Sequence, residues 1–244
     1  QYRVGLPPTL AVDYIPFRPD LTEHCCRILR TYLNRYPGAH SAMVFELIQG
    51  EGGFYPGTTS FFREIMSILK EHKIAVIVDE IQSFGRTEQA FAFQHFQLEK
   101  YVDIVTIGKL AQVCATMYRK EYKPSPGLIS QTFTSSTVAI EAALVILKEM
   151  RTKGYFGKTG KINALHKDFV KGFKALEKKY PHDLKGPYGI GSMVAFTVFG
   201  GQREKVVKFV HELFKHGVIS FIAGSNPTRV RFLLPYAVLE KEDI

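Results

Sequence analysis

The chain has 244 residues, 45% of them hydrophobic, with 32 Lys and Arg against 23 Asp and Glu, a formal net charge of +9 and a pI near 9.4. That is enough apolar sequence for one large domain or two modest ones. Three cysteines, two of them adjacent (Cys25, Cys26), argue against a disulfide framework and fit a reducing, cytoplasmic setting, and neither a signal peptide nor a bilayer-spanning apolar stretch is expected from the residues given. The basic residues are scattered through amphipathic segments such as Lys158 to Lys179, without zinc-finger spacing or RNP-type aromatics, so no nucleic acid, membrane or metal ion is expected as a partner; anionic metabolites suit the charge better.

Residues 1–19 are Pro-rich and irregular. A helix is expected from Asp20, as its cap, to Tyr36, where Pro37-Gly38 stops it. Ser41 to Ile48 reads as a strand, Gln49 to Gly53 as a turn, and Thr59 to His72 as an amphipathic helix. That helix leads into Ile74-Ala75-Val76-Ile77-Val78, a buried strand that ends in Asp79-Glu80. Val102 to Ile107 is a second such run and ends in Gly108-Lys109. Strand, helix, strand in this order is the signature of a parallel α/β unit. A short strand at Ala115–Arg119 and a helix from Thr137 to Lys153 follow. Gly154, Gly157 and Gly160 mark a boundary, so residues 1–153 and 154–244 are expected to form two domains. The second shows a helix near 161–180, a strand at Ser192–Phe199, a helix at Gln202–His216 and strands near Val218–Ile222 and Arg229–Leu233, an α+β pattern.

The chemistry concentrates at two strand ends. In open α/β sheets the ligand crevice lies beyond the carboxyl ends of the strands, so Asp79 and Lys109 are expected to face one pocket. A carboxylate beside a partly desolvated amine suits pyridoxal phosphate, whose aldehyde needs a lysine and whose ring nitrogen needs an anion. Taken alone, the Asp79-Glu80 run supports two further readings: a strand-end cap, or the magnesium-binding strand of a P-loop ATPase. No G-x-x-x-x-G-K-[ST] occurs in the chain.

Five segments together resemble one family. Phe45-Glu46-Leu47-Ile48-Gln49-Gly50-Glu51-Gly52-Gly53 resembles the "EPIQGEGG" of class III pyridoxal-phosphate aminotransferases, and Asp79-Glu80-Ile81-Gln82-Ser83-Phe84-Gly85-Arg86-Thr87 resembles their "DEVQTGFGRTG". Asp103-Ile104-Val105-Thr106-Ile107-Gly108-Lys109 is similar to the "PDIVTLAK" that carries the reactive lysine. Gln131-Thr132-Phe133 stands where the family has "(G/S)TF", and Val230-Arg231-Phe232 with Pro235 is similar to "VRFRPPL". Within the family, Gly108-Lys109-Leu110-Ala111-Gln112-Val113-Cys114 is similar to the "GKKTQVCG" of L-lysine 6-aminotransferases.

The resemblance implies fold type I of the pyridoxal-phosphate transferases: a partial large α/β domain with a mainly parallel sheet, followed by an α+β small domain. It implies that Lys109 holds the cofactor and moves the substrate proton, that Asp79 pairs with the ring nitrogen, that Gln82 bonds the ring 3-oxygen and that Ile81 packs on a ring face. Thr132 would donate to the phosphate of the neighbouring subunit's cofactor, which implies a homodimer with shared active sites. Glu46 and Arg231 would form the pair that admits an amino acid donor in one half-reaction and 2-oxoglutarate in the other. The reaction implied is transfer of a terminal amine, foremost the ε-amine of L-lysine, to 2-oxoglutarate; ornithine, acetylornithine and 4-aminobutyrate are alternative donors, and a catalytically inactive homologue that serves as a binding subunit is another.

The pattern also breaks in places. The proline after the first glutamate is Leu47, one residue is deleted after Gln82, Glu88 replaces a glycine, Thr134, Ser135 and Ser136 replace the residues after "TF", and Leu234 replaces the first proline of "PPL". Nothing in residues 1–40 resembles the family's phosphate loop or its ring-stacking aromatic, so the chain reads as the C-terminal part of the family or as a reduced paralogue. Arg86 and Thr87 are expected to shape a loop, His95 to pack on an aromatic face, and Cys114 to be a small buried residue.

Overall fold

A computed structural model describes residues 11–128 and 136–244; Thr132, with Gln131 and Phe133, lies outside them. In chain order the elements are α1 (Thr22–Arg35), β1 (Ala42–Phe45), β2 (Ile48–Gln49), α2 (Gly50–Gly53), β3 (Tyr55–Pro56), α3 (Thr59–Glu71), β4 (Ala75–Asp79), α4 (Ala92–His95), β5 (Ile104–Ile107), β6 (Ala115–Tyr118), α5 (Thr137–Thr152), α6 (Lys161–Lys179), β7 (Leu184–Ile190), β8 (Met193–Val198), α7 (Arg203–Lys215), β9 (Phe221–Ala223) and β10 (Arg229–Leu233). Asp20 does not cap α1. Its carboxylate is taken by Arg18 across Pro19 (2.6 Å), and the helix begins with no side-chain cap.

The first sheet has the order β1-β4-β5-β6, with β1, β4 and β5 parallel and β6 antiparallel to β5. The helix α3 makes the crossover from β1 to β4. Thr58 caps it, accepting from the Phe61 N–H (3.2 Å), and Phe61, Phe62, Ile65, Met66, Ile68 and Leu69 are buried along one face. With Leu29 and Leu33 of α1 and Val76 and Val78 of β4 they form the larger core.

Register in this sheet is pinned by Asp103. Its buried carboxylate accepts from the Val76 N–H of β4 (2.8 Å) and from Lys70 of α3, and Arg119, just beyond β6, lies 3.6 Å away. One acid thus ties a helix and three strands together before β5 begins. A strand register set this firmly fixes which residues stand at the strand ends.

The second sheet, β7-β8-β10-β9, is wholly antiparallel. Its covering helices α6 and α7 close a separate core of Phe173, Phe196, Val198, Val206 and Val230. The strand β7 was not expected from the sequence, because Gly186, Pro187 and Gly189 make its segment read as a loop. The strand tolerates them because it lies at the sheet edge and shifts register between Lys185 and Tyr188. The two sheets meet where the Ser192 N–H donates to the Arg86 carbonyl (2.9 Å) and the Gly224 N–H donates to the Glu51 carbonyl (2.8 Å). No helix among the described residues is long and apolar enough to cross a membrane.

Candidate active site

The carboxyl ends of β1, β4 and β5 lie side by side, because Phe45 is in register with Val78 and Asp79 with Thr106. The next residues therefore gather at one edge: Glu46 after β1, Asp79 at the end of β4, and Lys109 just beyond β5. The Asp79 carboxylate accepts from the Ile81 N–H (2.9 Å), which closes a tight turn at the strand end. Lys109 has a left-handed backbone (φ 48°), uncommon for a residue with a Cβ, and its side chain is exposed.

Burial pushes the Glu46 carboxyl above its usual value. The Gly50 N–H it accepts (2.7 Å) works against that, as does the Lys109 charge, while Asp79 adds to it. Glu46 thus senses Asp79 and Lys109 together, which places the three groups in one electrostatic neighbourhood.

A second wall comes from the other sheet. Arg231 of β10 reaches across to Glu51 on α2 (2.8 Å) and to Gln82 Oε1 (3.2 Å), while Gln82 Nε2 donates to Glu51 (3.2 Å). Although burial raises the Glu51 carboxyl, the hydrogen bonds from Arg231 and Gln82 and the charges of Arg231 and Lys109 outweigh it, and the carboxyl sits below its usual value. The pairing expected from the sequence, Glu46 with Arg231, is therefore corrected: the carboxylate on Arg231 is Glu51, and Glu46 is turned inward to cap the Gly50–Gly53 turn. Glu51 belongs to the same motif as Glu46, five residues further from the strand. The signal that could have found it is the helical turn itself, which lifts its second residue towards the facing sheet. Gln82 is buried with its amide engaged at both ends, and Gly50 permits this, since a Cβ there would collide with the Gln82 amide.

Loop residues behind this wall are also placed. Arg86 is buried and donates to the Gln82 carbonyl (2.7 Å), as expected of a residue that shapes the loop. Glu80 is fully buried, accepts from the Ala92 and Phe93 N–H groups (2.7 and 2.9 Å), and is raised to about 7 by burial that these bonds only partly offset. His95 packs edge-on against Phe96 (4.9 Å). Cys114 is exposed rather than buried, because the turn after Lys109 carries it to the surface beside Gly108. Among the described residues there is no group of three or more His, Cys, Asp or Glu arranged to hold a metal ion.

The sequence matches the class-III aminotransferase family over residues 5–244. It is 30% identical over 212 residues to the 5-aminovalerate aminotransferase DavT of Pseudomonas aeruginosa, covering 81% of this chain and 48% of that protein. It is 28% identical to the acetylornithine/succinyldiaminopimelate aminotransferase of Buchnera aphidicola, covering 83% and 50%. Lysine aminotransferase from M. tuberculosis superposes with a TM-score of 0.81 at 24% identity, over 98% of this chain and 54% of that one, which establishes the shared fold. The chain spans about half the length of the curated relatives it matches. Those relatives are fold-type I transaminases rather than P-loop ATPases, so the ATPase reading of the Asp79-Glu80 strand falls away. The strand ends, the second wall and the match along nearly the whole chain agree: this chain belongs to the class-III aminotransferases.

Proposed function

We propose that this chain is the part of a pyridoxal-phosphate-dependent aminotransferase that carries its reactive lysine, and that the enzyme moves the terminal amine of an ω-amino acid, foremost the ε-amine of L-lysine, to 2-oxoglutarate, giving a semialdehyde and glutamate. The observation that carries this reading is the register that sets Asp79 and Lys109 at the ends of adjacent parallel strands. In this reading residues 1–153 are part of a large domain and 154–244 a small one. The protein works as a homodimer in the cytoplasm, a compartment that suits the free thiols Cys25, Cys26 and Cys114.

The donor set fits the ring end of the cofactor: a carboxylate for a cationic nitrogen, an amine for an aldehyde, and Ile81 for an apolar ring face. Gly108 leaves the room, since a Cβ there would stand 3.1 Å from Ile81 and 3.4 Å from Cys114. When bound, the cofactor supplies an electron sink for the carbon that loses its proton. Lys109 would hold the aldehyde, and its Nζ would take up and return the proton at the substrate carbon. Asp79 would keep the ring nitrogen charged through a charge-assisted hydrogen bond. Arg231 recognises a substrate carboxylate, for which a guanidinium fork is suited, and Glu51 neutralises Arg231 when the incoming group is an amine. Thr132 is assigned to the partner subunit's phosphate on the resemblance alone.

Among donors, lysine is favoured by the segment Gly108–Cys114, while the names of the relatives put 5-aminovalerate and acetylornithine close behind. A second reading, a catalytically inactive homologue that serves as a binding subunit, is favoured by the Gln82 amide being taken at both ends by Glu51 and Arg231. One experiment separates the two. The complete native polypeptide is incubated with pyridoxal phosphate, reduced with borohydride and mapped by mass spectrometry. Label on Lys109 that is lost in Lys109→Ala supports the enzyme; a polypeptide that takes no label is the binding subunit.

A further inference from the structure

Arg229 has no part in the reading above, yet its setting is unusual. It lies on β10 two residues before Arg231, is 5% exposed, and has no carboxylate partner among the described residues. Its guanidinium is clasped between two aromatic rings, 3.9 Å from the centroid of Tyr55 and 3.6 Å from that of Tyr188. Nη1 donates to the Gly53 carbonyl (2.6 Å), while Nε is buried with no hydrogen-bond partner among the described residues. A cation held this way, with one donor idle, is costly to bury, and a methionine would fill the slot between the rings more cheaply. Burial pulls the Arg229 pKa down, as expected for a charge held by rings rather than by an anion.

The group it holds is the end of the Gly50–Gly53 turn, which carries Glu51. Three of its four residues are glycine, and a single turn has little stability of its own. Its position therefore depends on what grips it. From the segment that follows β1 come Glu46, on the Gly50 N–H, and Gln49 of the small β2–β3 pair, whose carbonyl accepts from the Phe54 N–H (2.8 Å). From the second sheet come the Gly224 N–H, on the Glu51 carbonyl, and Arg229, on the Gly53 carbonyl. Gly53 is shaped for this contact: its φ is +123°, and a Cβ would stand 3.0 Å from Tyr55 and 3.4 Å from Arg229.

We propose that Arg229 is a positioning residue for substrate discrimination, holding the Gly53 carbonyl from between Tyr55 and Tyr188 so that Glu51 stays within reach of Arg231. The Glu51–Arg231 pair then closes by default and opens only for a ligand whose carboxylate competes for Arg231. Without the grip, the turn drifts and Arg231 stands unpaired. The site then loses its bias against dicarboxylates when an amine donor should bind. This deepens the proposed function and rests on its assignment of Arg231 as the carboxylate clamp.

The test uses the full chain without cofactor, so that it does not depend on turnover. Carboxyl-carbon NMR titration reads the Glu51 pKa, which Arg231, Gln82 and Lys109 set, and calorimetry reads the affinity for glutarate, a dicarboxylate that cannot react. Arg229→Met is expected to move the Glu51 pKa up towards the ordinary carboxylate value and to tighten glutarate about tenfold. Glu51→Gln should tighten glutarate by a similar factor, and adding Arg229→Met to it should change nothing further, the signature of action through Glu51. Tyr188→Phe, which keeps the ring face, should leave both readouts as they are. If Arg229→Met lowers the melting temperature but leaves the Glu51 pKa and the glutarate affinity unmoved, Arg229 only supports the fold and the proposal is overturned. Should Arg229→Met not fold, Arg229→Lys, which keeps the charge without the fork, decides it by the same two readouts. Glutarate binding that survives Arg231→Met would instead overturn the clamp assignment, while the Glu51 titration still decides the role of Arg229.

Discussion

The two walls of the site are built in opposite ways. Asp79 and Lys109 stand at the ends of neighbouring strands of one parallel sheet, and their proximity follows from register alone. Glu51 and Arg231 are 180 residues apart and meet only because two sheets pack against each other. The first wall is local and stiff; the second is a contact between units, held by a glycine-rich turn and a few hydrogen bonds. In the proposed enzyme the chemistry sits on the stiff wall and the choice of substrate on the adjustable one. A group that transfers protons needs fixed geometry, whereas a group that must serve two unlike substrates needs a contact that can open.

The largest expected effects lie on the stiff wall. Lys109→Ala in the complete enzyme should lower turnover by at least about 10²–10⁴-fold, measured as glutamate formed from 2-oxoglutarate, because the proposed proton carrier is removed. Arg231→Met should instead raise KM for 2-oxoglutarate and leave the proton-transfer step with the amine donor nearly intact. A variant of Lys109 that kept full turnover would dissolve the distinction between the walls.

Next in size is the staple beneath that wall. Asp103→Ala would leave the Val76 N–H buried without its acceptor and Lys70 without its anion, a loss of about 3–5 kcal/mol in urea unfolding. Because the same acid sets the β4–β5 register, the variant should lose cofactor capture at Lys109 before it loses its helix signal. Asp103→Asn, which keeps an acceptor for Val76, should recover part of the stability.

How much of this was legible follows the same division. Apolar strands ending in Asp79 and Lys109 are written in consecutive residues, so periodicity and strand polarity suffice to set them at the ends of neighbouring strands. The partner of Arg231 was misread because two acids, Glu46 and Glu51, lie five residues apart. Their roles are separated only by a helical turn that points one into the fold and the other across the cleft. Arg229 gave no signal, since a stacked cation looks like any surface arginine until Tyr55 and Tyr188 are brought to it. The β7 strand stayed hidden behind Gly186, Pro187 and Gly189, residues that an edge strand can carry. Pairings inside one sheet are coded locally; pairings between sheets depend on packing that no window of sequence contains.

The loop between the walls gives a prediction with a sign. Glu80, raised to about 7 from an unfolded value of 4.5, binds its proton more tightly in the folded state. Stability from this group is fully present at low pH and is lost as pH climbs from about 4.5 through about 7, a loss of about 3 kcal/mol. Unfolding followed by circular dichroism across that window should show the decline, and Glu80→Gln should flatten it. If the slope survives in Glu80→Gln, the loop that carries Gln82 and Arg86 is not anchored by this acid.

The smallest effect probes the adjustable wall directly. Gly53→Ala adds a single methyl at φ +123°, against Tyr55 and Arg229, and should cost about 1–3 kcal/mol from backbone strain. The melting temperature would then shift by only a few degrees, so stability alone says little. The informative quantity is the substrate ratio. Moving the Gly53 carbonyl away from Arg229 displaces Glu51 on the same turn, so KM for the amine donor should rise relative to that for 2-oxoglutarate, while kcat, set by Asp79 and Lys109 on the other wall, stays near its original value. Equal changes in both substrates would mean that the two walls move together, and that the adjustable contact is as rigid as the sheet it faces.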